Sequence, residues 1–139
     1  MEAVELRYVQ PKDIKYWWGT VKPGVECVLK KDKSGELPED VYVSLKSGEA
    51  QLFTGMLDGV YHGFVICMKQ KEALFIWMCY APTAGVTDLF HPNLRELARE
   101  GGMTKLRFSS ARNGWERLGA DYGFKKKTVI YEAEVLDGF

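Results

Sequence analysis

Three apolar runs follow one another with almost nothing between them. Ala50 to Leu57, Val60 to Lys69 and Ala73 to Tyr80 are separated only by Asp58-Gly59 and by a short polar turn at Gln70-Lys71. Each run is too short and too rich in β-branched and aromatic residues for a buried helix, and each is bounded by turn residues. Asp-Gly is a strong two-residue hairpin signal, because both positions of the tightest turn need a positive φ. Connections this short cannot hold a crossover, so the three strands form an antiparallel meander. Any fold for this chain has to be built around that sheet.

The flanks add helices and outer strands. Val4 to Val9 alternates with period two and reads as a first strand. Pro11 and Asp13 signal a helix start, opening a short aromatic segment, Ile14 to Trp18, that Gly19 is expected to break. A second helical segment begins at Pro23, with Val25, Val28 and Leu29 on one face; Lys30 to Glu36 reads as a polar loop. Pro38-Glu39-Asp40 opens a helix with acids in its first turn, Val41 and Leu45 share its apolar face, and Gly48 stands at the C-terminal cap.

Beyond the meander, Leu89, Phe90, Leu94 and Leu97 predict a helix from Leu89 to Glu100, with Pro92 at or near its start and Gly101-Gly102 at its end. Lys105 to Ser109 alternates as a strand. The helical crossover before it implies parallel pairing. A short helix over Asn113 to Leu118, closed by Gly119, and a long strand over Phe124 to Leu136 complete the order β-α-α-β-β-β-α-β-α-β. This is an α+β arrangement, and 139 residues suit one domain spanning 1–139.

Composition narrows the classes of function. Nineteen basic and nineteen acidic side chains cancel. The basic excess that gives non-specific nucleic-acid binders their affinity is missing, so no nucleic-acid partner is predicted. Zero net charge limits self-repulsion and is compatible with assembly onto a partner. Cys27, Cys67 and Cys79 form no C-x-x-C pair, and only His62 and His91 could add imidazole, so no metal site is predicted. Widely spaced cysteines in apolar runs suit a reducing compartment. With no basic-then-apolar leader at Met1-Glu2-Ala3-Val4-Glu5 and no membrane-length run, a cytoplasmic protein is expected, or one packaged from a cytoplasm.

The order of elements, with Leu94–Phe108 as helix and fifth strand and Gly-Trp-Glu-Arg-Leu-Gly-Ala-Asp-Tyr-Gly-Phe at Gly114–Phe124, resembles the second half of the GNAT N-acyltransferase fold. Three segments resemble small GNAT-like proteins of tailed bacteriophages more closely: Leu-Lys-Ser-Gly-Glu-Ala-Gln-Leu-Phe at Leu45–Phe53, Ala-Leu-Phe-Ile-Trp-Met-Cys at Ala73–Cys79, and Gly-Trp-Glu-Arg at Gly114–Arg117. That resemblance covers Glu36 to Val135 and implies a phage source. It also implies a mixed, mostly antiparallel central sheet flanked by helices, with a bulge late in the fourth strand. A glycine-rich turn into the next helix would present amides to the pyrophosphate of acetyl-CoA.

Carried onto this chain, the resemblance places pantetheine along Met78, Cys79 and Tyr80, pyrophosphate at Gly85, Val86 and Thr87, and a further polar contact at Asn113. The turn departs from the family pattern of Gln or Arg, two variable residues, Gly, any residue, then Gly or Ala. Aligned on Pro82, the chain has Val86 and Asp88 where the glycines belong; another register uses Gly85 as one glycine and still leaves the motif incomplete. A carboxylate about 4 Å from a phosphate oxygen costs about 1 kcal/mol in water and more when desolvated. The tyrosine that many such enzymes use to protonate the leaving thiolate is also replaced. Counting back from the two candidate turns reaches Gly119 or Trp115, and Tyr122 could serve only if turned inward. Glu72 is a candidate general base acting through water.

Two functions follow from these readings. One is a non-catalytic, phage-encoded GNAT-like component of the virion or its ejection apparatus, or a binder of a host protein. The other is an active N-acetyltransferase moving an acyl group from acyl-CoA to an amine.

Overall fold

The computed structural model describes residues 4–32, 35–82 and 86–108. Among these residues five strands form one sheet in chain order: β1 (Val4–Val9), β2 (Gln51–Leu57), β3 (Val60–Lys69), β4 (Ala73–Tyr80) and β5 (Lys105–Phe108). The first three pairings are antiparallel, and β5 joins β4 in parallel. The meander forms as its turns require. Asp58 and Gly59 take φ of 51° and 80°, the double positive that a tight hairpin needs.

Helices cover both faces. On one lie α1 (Ile14–Asp32) and α2 (Pro38–Ser47), whose Val21, Val25, Val41 and Leu45 pack against Leu52, Phe64, Ile66 and Met78 of the sheet. On the other lies α3 (Val86–Glu100), which sets Phe90, Leu94 and Ala98 against Val65, Cys67 and Leu74. Phe90 points its ring edge at Gly55 of β2, where a Cβ would come within 2.1 Å of the ring. The glycine is what lets α3 sit this close to the sheet.

Helix α2 follows its sequence signals: Pro38 at the first turn, the Asp40 carboxylate accepting from the Leu37 amide at 2.9 Å, and Gly48 in the left-handed region at φ 84°. Two helices differ from expectation. Gly19 does not break α1, and Pro23 does not start a new helix; both lie inside a single helix of 19 residues. Pro23 sits four residues after Gly19, whose carbonyl its ring crowds and whose N–H···O partner it cannot supply. With no Cβ, Gly19 can yield there, and the apolar face runs on across the irregularity from Ile14 to Leu29. Helix α3 starts three residues earlier than Leu89 and carries Pro92 in its interior. Gly102, at φ 76°, follows its end as expected. The helix over Asn113 to Leu118 and the strand over Phe124 to Leu136 lie outside the described residues.

Candidate functional site

Strand β4 changes character halfway along. From Ala73 to Ile76 it is paired on both sides, with β3 and, residue for residue, with β5 from Lys105 to Phe108. Then the register with β3 slips: Ile76 faces Cys67, but Met78 faces Ile66, leaving Trp77 as an extra residue. This is a β-bulge, and one inserted residue reverses which face every later side chain meets. Before it, Leu74 and Ile76 face α3; after it, Met78 and Tyr80 face α1 while Cys79 faces α3. The described register with β5 ends at Ile76↔Phe108, beside the bulge.

A second bulge, at His62, does the same to β3. Gly55 faces Gly63 but Met56 faces Tyr61, so Tyr61 turns to the α1 side together with Phe64. The two bulges gather aromatic side chains under α1. Trp17 lies 6.0 Å from Tyr61, and Phe64 stacks on Tyr80 at 5.6 Å between ring centroids. Burial and the nearby Tyr80 push the Tyr61 phenol up to about 12, so it is a neutral hydrogen-bond donor across the physiological range.

Two glycines make the close approaches possible. A Cβ on Gly24 of α1 would lie 2.6 Å from both Phe64 and Tyr80. One on Gly63, at φ 147°, would lie 2.0 Å from the Tyr80 carbonyl oxygen. Nothing in the sequence distinguishes these glycines from the others.

The structure places the sequence-predicted residues unevenly. Met78, Cys79 and Tyr80 lie together past the bulge, at the end of β4 that leads toward α3. Val86 and Thr87 form the first turn of α3, with Asp88 beside them in the same turn. Gly85, Asn113, Tyr122, Gly119 and Trp115 lie outside the described residues. Glu72 sits at the opposite end of β4, about 25 Å of strand from Tyr80. There it pairs with Lys105 Nζ at 2.9 Å and Arg107 at 3.8 Å. Hydrogen bonding and charge from Lys105 hold its carboxyl below the ordinary glutamate value. A carboxylate so held is a poor proton acceptor, and its backbone carbonyl is also engaged, by the amides of Thr104 and Lys105.

The thiols differ too. Cys67 is fully buried and its pKa is pushed up to about 12, chiefly by burial, whereas Cys27 and Cys79 are half-buried. A buried, protonated thiol is inert. Among the described residues no cluster of three His, Cys, Asp or Glu could hold a metal ion. No helix described is long and apolar enough to cross a membrane.

A bulged fourth strand leading into a helix on the far face, with a parallel strand after the crossover, is the frame of an acyl-CoA N-acyltransferase. Solved structures agree on that frame. The chain is similar to a ribosomal-protein-alanine N-acetyltransferase from Brucella melitensis biovar Abortus 2308, with a TM-score of 0.69 and 17% identity over 95% of this chain and 99% of that one. A predicted acetyltransferase with acetyl-CoA from Clostridium acetobutylicum gives 0.66 and 12% over 98% and 99%. The PaiA N-acetyltransferase from Thermoplasma acidophilum, in complex with coenzyme A, gives 0.61 and 13% over 92% and 93%. No family model matches the sequence, and no curated protein matches it. The chain has the GNAT acyl-CoA N-acyltransferase fold.

The two places that the resemblance assigns to acyl-CoA differ. Past the Trp77 bulge lies the backbone of Met78 to Tyr80, where the family resemblance would run a pantetheine arm. The sequence of the first turn of α3 lacks the glycines of the family's pyrophosphate pattern. The first turn of a helix carries unpaired amides and the positive end of the dipole, and in this sequence that turn contains Asp88. Val86 adds a β-branched side chain at the first helical position, where close phosphate contact favours glycine.

Proposed function

We propose that this chain uses the N-acyltransferase fold as a non-catalytic module that binds a protein partner, as a phage-encoded component of a virion or its ejection apparatus or as a binder of a host protein. The observation that carries the reading is the content of the α3 first turn, Val86-Thr87-Asp88, at the point where the fold calls for glycine and an uncompensated helix end. An aspartate in that turn brings a negative charge that phosphate binding would have to overcome. The resemblance of Leu45–Phe53, Ala73–Cys79 and Gly114–Arg117 to small phage proteins supports the source and setting.

The test is thermal or chemical denaturation with and without acetyl-CoA. A ligand at 100 times its Kd adds about 2.7 kcal/mol to stability. No shift at millimolar acetyl-CoA is expected. A saturable shift would overturn the proposal. The variant Asp88→Gly, alone and with Val86→Gly, probes the cause: binding gained by the variants would locate the defect in this turn. Finding the chain in purified virions would support the packaged setting, and its absence there would leave the host-protein setting.

One observation favours a second reading, an active acyl-CoA-dependent N-acetyltransferase acting on an amine. The Trp77 bulge just before Met78 to Tyr80 and the acetyltransferases among the similar solved structures support this reading. On this reading Met78, Cys79 and Tyr80 hold the pantetheine through their backbone, and the pyrophosphate is held weakly. A saturable acetyl-CoA shift together with acetylation of a model amine would establish it.

A further inference from the structure

The outer edge of the sheet carries an inference that does not depend on whether acetyl-CoA binds. Strand β1 pairs with β2 without interruption from Val4↔Leu57 to Val9↔Leu52, while both inner antiparallel pairings are broken by bulges. Its other edge carries no strand among the described residues. Proteins commonly blunt such edges with a proline, a bulge or an inward-pointing charge. None of these lies within Val4–Val9, and its two charged residues point to solvent.

The charge pattern says what would fit. Glu5 and Arg7 flank Leu6, are both exposed, and lie on one face of the strand, 3.1 Å apart. A second β1 laid antiparallel about a two-fold axis through Leu6 sets Glu5 opposite Arg7 of the other copy, and Arg7 opposite its Glu5. The same register sets Leu6 opposite Leu6 and Tyr8 opposite Val4. Tyr8, half exposed beside Phe53 at 5.5 Å, would gain cover on the α3 face of the joined sheet. A heterologous strand would need its own matching charges. This strand supplies both halves of the match itself, as an isologous interface requires. Zero net charge on the whole chain removes long-range repulsion between copies.

We propose that β1 is a self-association edge, through which two copies join antiparallel about Leu6 to make one continuous ten-stranded or larger sheet. Six residues of strand bury little area, so the dimer is concentration-dependent rather than obligate.

The test is sedimentation velocity of the full chain from low micromolar to near-millimolar concentration. Reversible dimerisation is expected. Glu5→Arg and Arg7→Glu each place like charges opposite one another twice across the axis, and each should weaken the dimer by about tenfold or more. The double variant Glu5→Arg/Arg7→Glu restores both cross-strand pairs and should return the affinity toward that of the parent. Because both side chains are exposed, unchanged melting of the monomer would show that the fold is intact. A chain that stays monomeric throughout would overturn the proposal. So would a dimer indifferent to the single variants, which would place the contact on another surface, or a double variant no better than the singles.

Discussion

The two halves of β4 are one continuous strand put to opposite uses. Its first half, Ala73 to Ile76, is laddered on both sides and closed at the end by side chains: Glu72 with Lys105 and Arg107, and Arg107 in turn with Gln70 at 3.1 Å. Its second half begins at a bulge and lies under an aromatic layer that two glycines allow to close. Regular pairing and charge clasps make a strand end structural. A bulge, reversed side-chain parity and close backbone approach make it a place that can receive something. The candidate site is therefore a property of the bulge and of the close backbone approach around it, not of a reactive side chain among the described residues.

The harshest way to break the contrast is Gly63→Ala. It forces a Cβ onto the Tyr80 carbonyl at a φ that L residues rarely adopt, and should cost about 3 kcal/mol or more in urea denaturation. Next is Leu74→Ala, in the regular half. It empties a buried position facing α3 and should cost about 2–4 kcal/mol while leaving the aromatic layer, monitored by near-UV circular dichroism, unchanged. Perturbation of that signal by Leu74→Ala would mean that the halves are coupled.

A smaller effect comes from Tyr61. Its folded pKa is raised above the ordinary tyrosine value of about 10, so the folded state resists ionisation. Stability should hold below pH 10 and fall as pH rises toward 12, and Tyr61→Phe should flatten that fall in alkaline melts. Smallest is Glu72→Gln. A carboxyl with a lowered pKa stabilises the fold above its ordinary titration range, and the contribution is lost as pH drops through its folded value. The pair is exposed, so the variant should lower the melting temperature only slightly at neutral pH and not at all in acid.

Much of the frame was legible because its signals are local. Asp58-Gly59, the Pro38 to Asp40 helix start, Gly48 and Gly102 each state a backbone requirement in one or two residues. The crossover between Tyr80 and Lys105 made the parallel pairing of β5 legible from length alone. What was not legible is tertiary. Gly19 and Pro23 read as breaks, yet the buried face on both sides of them carries α1 straight through. The early start of α3 at Val86 has no apolar period to announce it. The bulge at Trp77 was implied by the family resemblance and not by the residues, because Ala-Leu-Phe-Ile-Trp-Met-Cys-Tyr is apolar on both faces and an inserted residue leaves no mark on the alternation. For the candidate site, the family resemblance put forward Met78 to Tyr80 and the departures at Val86 and Asp88. It missed Gly24, Gly63 and Tyr61, whose roles exist only once three elements converge.

The sheet's order also implies a sequence of events in time. The pairings of β2 with β3 and β3 with β4 close within a few residues, but Val4 meets Leu57 only across two helices, and Ala73 meets Lys105 only across α3. Long closures cost more chain entropy and are made later. The central meander should therefore form first and hold its amide protons longest, with β1 and β5 docking last and exchanging fastest. Pulse-labelled hydrogen exchange showing β1 protected as early as β3 would contradict this. A strand that is last to dock on its own sheet is also one that spends the longest time as an open edge during synthesis and refolding. In this chain, crowding of nascent copies would therefore be decided at six residues.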